Sequence, residues 1–161
     1  MNIEVEAKIK LSKEEFDRLS DLLGEPDFVN QKNFIYNLPV GMVRIREIEG
    51  KRIVTYKGDI EGEKFKSLEE VEFETYSDLE KIRRFFNVLG FKETLVYEKK
   101  RADFNFENCV VSMDILGEDY YVEIEGKEED IKRCLERLEL ENKKTEMRSY
   151  PEIVESKSQK S

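Results

Sequence analysis

The chain has 161 residues, 39% of them hydrophobic and 40% charged, with a formal net charge of -9. That length suits one domain with a real core. No apolar run approaches the roughly 20 residues of a membrane span, and Met1-Asn2-Ile3-Glu4 lacks the pattern of a secretory signal, so a cytoplasmic protein is expected. The negative global field disfavours nucleic acid and anionic membrane as partners. With no histidine at all, serine or cysteine triads, histidine zinc sites and imidazole bases are excluded.

In chain order, the first predicted element is a strand over Ile3–Leu11 with Glu4, Glu6 and Lys8 on one face and Val5, Ala7 and Ile9 on the other. Ser12 followed by Glu15 has capping-box spacing, and Phe16, Leu19, Leu22 and Leu23 then recur on one helical face until Gly24. Alternation predicts further strands over Asn33–Asn37, Met42–Ile48 (Arg44 and Arg46 opposing Val43 and Ile45), Lys51–Gly58 and Glu69–Thr75 (Glu70, Glu72 and Glu74 opposing Val71 and Phe73). A second helix starts at Ser77 or Asp78, carries Leu79, Ile82, Phe85, Phe86 and Leu89, and stops at Gly90. Strands follow over Leu95–Phe106 with Lys99 and Arg101, over Val110–Leu116 with Ser112 and Asp114, and over Tyr120–Glu125 with Glu123 and Glu125. A third helix runs from Glu128 to Leu140, and residues 154–161 read as a polar, disordered tail after a single domain over 1–153.

Eight strands mostly adjacent in sequence, with three helices, predict an antiparallel α+β domain. A short repeat at an offset of 66 residues maps Glu4 and Glu6 onto Glu70 and Glu72, Ser12 onto Asp78 and Gly24 onto Gly90. Both halves thus open with a Glu-x-Glu strand feeding a capped helix, a unit able to close a barrel from two half-sheets. Cys109 and Cys134 read as core residues. Abundant Lys, Glu and Arg fit a heat-adapted surface of ion pairs.

The polar rows are nearly all full charges, segregated by strand: Glu-x-Glu on three strands, Arg-x-Arg and Lys-x-Arg on two others. An open sheet with one wet face accounts for such alternation as well as a closed one does. If the sheet closes, the acidic strands suit a hard cation, Mg²⁺ or Mn²⁺, and the basic strands a polyphosphate.

Glu4-Val5-Glu6-Ala7-Lys8 resembles the ExExK signature of the CYTH superfamily, the triphosphate tunnel metalloenzymes. The likeness continues through Gln31, Arg44-Ile45-Arg46, Thr55-Tyr56-Lys57, Glu70-Val71-Glu72, Lys99 and Arg101, Met113-Asp114, Leu116-Gly117, Val122-Glu123-Ile124-Glu125 and Ser149-Tyr150. The resemblance implies a closed eight-stranded antiparallel β-barrel, a triphosphate tunnel with flanking helices. It further implies a metal held by Glu4, Glu6 and Glu123 or Glu125 with Asp114 near, and a second metal at Glu70 and Glu72. Glu4, Glu6 and Lys8 become candidate catalytic residues, and Lys8, Arg44, Arg46, Lys57, Lys99 and Arg101 the triphosphate-binding set. The implied activity is class IV adenylate cyclase-like, converting ATP to cyclic AMP and pyrophosphate. Thiamine triphosphatase or inorganic tripolyphosphatase activity is the alternative, and a non-catalytic polyphosphate-binding module or a charged interaction protein are readings of other classes. Either a monomer or a homodimer is compatible. Two departures stand out: Glu118-Asp119-Tyr120-Tyr121 is more acidic than the usual turn, and little inserted sequence is available for a nucleoside pocket.

Overall fold

The computed structural model describes residues 3–60 and 65–159. Its strands are β1 (Ile3–Leu11), β2 (Val29–Asn37), β3 (Met42–Ile48), β4 (Lys51–Ile60), β5 (Lys66–Thr75), β6 (Glu93–Phe106), β7 (Cys109–Leu116) and β8 (Asp119–Glu125). They form a closed antiparallel barrel in the order β1-β5-β4-β3-β2-β6-β7-β8. The helices are α1 (Lys13–Leu23), α2 (Leu79–Val88), α3 (Glu128–Arg137) and α4 (Tyr150–Ser158), and none is long and apolar enough to cross a membrane.

The 66-residue repeat becomes a pseudo-two-fold. Ile3 pairs with Glu69, its own repeat equivalent, so the axis passes between β1 and β5 at that pair. Exchanging β1 with β5, β2 with β6, β3 with β7 and β4 with β8 maps the barrel order onto itself. Both halves use the same signals. Ser12 and Glu15 make the reciprocal capping box of α1, and Asp78 accepts from the Glu80 and Lys81 backbone at α2. Gly24 and Gly90, at φ 107° and 89°, end the two helices.

Closure turns the apolar rows outward and the ionic rows inward. Ala7, Ile9, Val111, Met113, Val122 and Ile124 pack beneath α1 and α3, where Phe16, Leu19, Ile131, Cys134 and Leu135 complete one core. Phe34, Tyr36, Val43, Ile45 and Val54 form a second under α2, against Leu79, Ile82 and Phe86. Phe85 and Leu89 instead face solvent, and among the described residues no helix follows β4 as α3 follows β8.

Three expectations need correction. β2 begins at Val29 rather than Asn33, which places Gln31 inside the barrel. α3 ends at Arg137, three residues early, because Glu139 turns left-handed at φ 58°. The predicted disordered tail is helical as far as Ser158, while residues 160–161 lie outside the described residues. Ser149 caps this α4 by accepting from Glu152 N, Pro151 stands in its first turn, and Tyr150, Pro151 and Ile153 are buried. The acidic turn at Glu118 settles the register: Leu116 pairs with Asp119 across Gly117 and Glu118, and Glu123 and Glu125 face inward opposite Lys8 and Glu6.

α4 closes one end of the barrel by packing Tyr150 and Ile153 on Ile35, Tyr97, Leu116 and Tyr121. β5 pairs with β1 only as far as Glu6. Beyond that point the Glu146 backbone N–H donates to the Lys8 carbonyl at 2.7 Å, so the segment before α4 takes the place of β5. Ile153→Ala is therefore expected to cost about 2–5 kcal/mol, read as a lowered urea midpoint at unchanged slope. A midpoint equal to wild type would mean that α4 does not pack.

Candidate functional site

The barrel interior holds a cavity of about 190 Å³. Six glutamates line it (Glu4, Glu6, Glu70, Glu72, Glu123 and Glu125) together with seven cations, and with Asp114 behind Arg101 the acids and cations are equal in number, so a chain of net charge -9 gathers its cations here. The strand order sorts these charges. β8, β1 and β5 are neighbours and bring the glutamates to one wall, while Arg44 and Arg46 on β3 and Lys99 and Arg101 on β6 flank β2 on the other.

On the acidic wall, Glu6 is buried and close enough to Glu123 for one carboxyl to donate to the other. Burial and the Glu123 charge push the Glu6 carboxyl up to about 8. Burial and Glu70 raise Glu4, and burial and Glu4 raise Glu125 to about 7. Lys57 reaches across to Glu4 at 3.1 Å and Glu70 at 3.6 Å. Although burial and Arg44 pull Lys57 down, Glu4, Glu6 and Glu123 outweigh them and hold it above its ordinary value.

The basic wall is crowded in the opposite sense. Burial, then Arg44 and Arg101, push Arg46 down to about 9, and burial with Arg101 holds Lys99 well below the usual lysine range. Arg46 Nε is aimed by a 2.8 Å hydrogen bond to Asn33 Oδ1, on a side chain that is fully buried. Arg44 Nε is a buried donor with no partner among the described residues, and Glu72 lies 4.0 Å from the guanidinium. Glu72 accepts from Thr55 at 2.7 Å and is partly exposed.

Asp114 joins the walls. Its carboxylate accepts from Arg101 Nε and Nη2 at 2.7 and 2.6 Å and from the Tyr150 hydroxyl at 2.5 Å, and Lys99 Nζ lies 3.6 Å away. Arg101 also donates to Glu123 at 2.8 Å. The Tyr150 ring lies between Lys8 Nζ at 4.2 Å and Lys99 Nζ at 4.0 Å, while Lys8 donates to the Arg148 carbonyl at 2.8 Å. Burial raises the Tyr150 phenol well above its ordinary value, so it stays protonated and donates to Asp114.

Every residue proposed from the sequence thus points into or borders one interior. Asn33, Lys66 and Tyr97 were missed, and Thr55 entered the sequence reading only as part of Thr55-Tyr56-Lys57, without a role. Asn33 and Tyr97 sit at alternate positions from Gln31 and Lys99, so the period-two row that carried the charges could have found them.

The donor set fits a hard divalent cation. Carboxylates lie in close pairs, Glu6 with Glu123 and Glu4 with Glu70; burial and the neighbouring carboxylate raise Glu6 and Glu4 above the ordinary carboxylate range, while Arg101 and Lys8 hold Glu123 well below it. Among the described residues they form no ready-made cage of three. The Arg44 donor and the crowded cations fit an anion equally well.

One stability effect follows. Folding lifts Glu6 from an ordinary value of 4.5 to about 8, so its contribution is complete in acid and is lost as pH rises through 8. Metal-free Glu6→Gln is expected to melt above wild type at pH 8.5 and to converge with it near pH 5. A variant less stable than wild type at pH 8.5 would contradict this.

Residues 2–157 match the CYTH domain family. A Methanocaldococcus jannaschii protein named putative adenylate cyclase is 37% identical over 90 residues, 55% of this chain, and the match spans only about half (51%) of that relative. The PH1012 protein of Pyrococcus horikoshii OT3 superposes with TM-score 0.79 at 28% identity, covering 92% of this chain and 98% of that one. A Hippeastrum protein, described as a putative adenylyl cyclase with a dominant triphosphatase activity, shares the fold at TM-score 0.68 and 20% identity over 98% and 96% of the two chains. With its closed eight-stranded barrel and a match along nearly its whole length, the chain belongs to the CYTH domain family.

Proposed function

We propose that the chain is a metal-dependent enzyme that cleaves a phosphoanhydride bond of a triphosphate held in the barrel. The observation that carries this reading is the two-walled interior, in which crowded cations, with Arg44 Nε lacking a partner among the described residues, face carboxylates of which Glu6 is raised to about 8 and Glu125 to about 7. Walls of this kind suit an anion and a hard cation together, and a metal triphosphate is both.

In this reading Arg44, Arg46, Lys57, Lys99, Arg101 and Lys8 bind the phosphate chain, with guanidinium forks holding oxygens in fixed directions. Asn33 and Asp114 act as positioning residues, because they aim Arg46 and Arg101. Asp114 has its oxygens occupied by Arg101 and Tyr150, which favours orientation over metal ligation. Glu4, Glu6 and Glu123, with Glu125 adjacent, would hold Mg²⁺ or Mn²⁺, and Glu70 pairs with Glu4 where a second ion would lie. The metal supplies charge neutralisation at the phosphate oxygens. With no histidine in the chain, wall carboxylates are the proton acceptors nearest the attacking oxygen.

The cyclase reading comes first. The ribose 3′-oxygen of ATP attacks the α-phosphorus, its proton is released, and the bond to pyrophosphate breaks. The name of the Methanocaldococcus relative supports it. In the second reading water attacks the terminal phosphorus of thiamine triphosphate or tripolyphosphate and gives up a proton, the anhydride bond breaks, and orthophosphate forms as the diphosphate (thiamine diphosphate or pyrophosphate) leaves, as the triphosphatase activity described for the Hippeastrum protein suggests.

Purified protein incubated with ATP, thiamine triphosphate or tripolyphosphate and Mg²⁺ or Mn²⁺ is expected to yield chromatographically resolved products. Cyclic AMP with pyrophosphate identifies a cyclase, and orthophosphate with the corresponding diphosphate and no cyclic AMP identifies a phosphatase. Chelation is expected to abolish turnover, and Glu6→Gln to lower it on the order of a hundredfold or more, since a metal contributes several kcal/mol to the transition state. Turnover of none of the three substrates with either metal would overturn the enzymatic reading.

A further inference from the structure

Cys109 and Cys134 are the only cysteines in the chain, and both are free and buried. Neither lines the charged interior. Cys109 opens β7, Cys134 lies on α3, and the two belong to one core with Ile131, Leu135 and Leu138.

Two contacts set α3 against the start of β7. Arg137 Nε lies 3.4 Å from Glu107 Oε1, which joins the last turn of α3 to the β6–β7 turn, two residues before Cys109. Cys134 stands about one helical turn before Arg137, so this pairing brings it level with Cys109. From the other side, an added Cβ at Gly126 would meet Cys109 Sγ at 2.9 Å, so the Cys109 side chain reaches the connection that enters α3. The neighbourhoods overlap accordingly. Asp130 and Arg133 of α3 act on the Cys109 thiol, Glu107 acts on that of Cys134, and each thiol acts on the other. Burial and then Cys109 push Cys134 up to about 12, and burial raises Cys109 as well. Both stay protonated and shielded while α3 is seated, and attack on an oxidant is then slow.

We infer that Cys109 and Cys134 are a disulfide pair, closed by a small-molecule disulfide such as oxidised glutathione when α3 lifts, and that the bridge pins α3 to β7. The thiolate of one cysteine attacks a glutathione sulfur and releases one glutathione thiol. The second cysteine then attacks the mixed disulfide and releases the other. The protein thiols thus lose two electrons and two protons, which reduce the small disulfide to two thiols. Among the described residues α3 is the helix with no counterpart after β4, and the bridge ties it covalently to the barrel. Closing a loop of about 25 residues also restricts the unfolded chain. The bridge is independent of what the barrel binds.

The test incubates the full chain with oxidised glutathione in urea just below the unfolding midpoint, where α3 opens. Free thiols are then alkylated under full denaturation, and intact mass and peptide maps are read. Cys109 and Cys134 are expected to be recovered joined within one chain, with no alkylated thiol. After removal of urea, the bridged protein is expected to melt roughly 5–10 °C above the same protein kept reduced, and Cys109→Ala to show no such difference. Two alkylated thiols, a glutathione retained on either cysteine, bridges only between chains, or a bridge that leaves the melting temperature unchanged would overturn the inference.

Discussion

Burying two walls face to face, one crowded with carboxylates and the other with cations, is the constraint on which this molecule depends. Charges removed from water are costly, by several kcal/mol per ion even after relaxation, unless they are paired and hydrogen-bonded. Here pairing is incomplete. Asp114, Arg101 and Glu123 neutralise one another in a fixed geometry, yet Glu6 retains a proton beside Glu123, and Arg46 and Lys99 are depressed by neighbouring cations. The barrel tolerates this because most of its apolar rows face outward into the cores beneath α1, α3 and α2, with Val71 and Phe73 of β5 left exposed. Hydrophobic burial outside the barrel offsets electrostatic strain within it.

The pseudo-two-fold shows how a symmetric scaffold holds an asymmetric site. The halves share strand order, helix placement and helix stops, but equivalent inward positions carry different charges. Arg44 and Arg46 on β3 correspond by the two-fold to β7, which carries Ser112 and Asp114. Duplication delivers closure, and divergence along the inward rows delivers two walls of opposite sign. The C-terminal segment then breaks the symmetry at one end. By running beside Lys8 and bringing the Tyr150 ring under the ammonium groups of Lys8 and Lys99, it orders the basic groups. Rigid strands suit the chemistry, since guanidinium and carboxylate directions are set by neighbours such as Asn33 and Asp114 rather than by mobile loops.

Much of this was legible in the residues themselves. Period-two alternation located every strand, and capping residues located α1 and α2, because both signals are local. The charged rows at Glu4, Glu6, Arg44, Arg46, Lys99, Arg101, Glu123 and Glu125 were readable for the same reason. α4 was missed because its stretch is polar and weakly amphipathic, although Ser149, Pro151 and Glu152 carried a helix-start pattern. Closure itself could not be read from alternation, since an open sheet has the same period, and only the pairing of β1 with both β5 and β8 decides it. The same holds for the sorting of charge. Glu4, Glu70 and Glu123 are far apart in the chain, and only the barrel order makes their strands neighbours. Sequence alone therefore determined which side chains are charged and which face of each strand they occupy, both local properties of the backbone. Tertiary structure decided which charges meet, because contact between distant strands depends on the whole path of the chain.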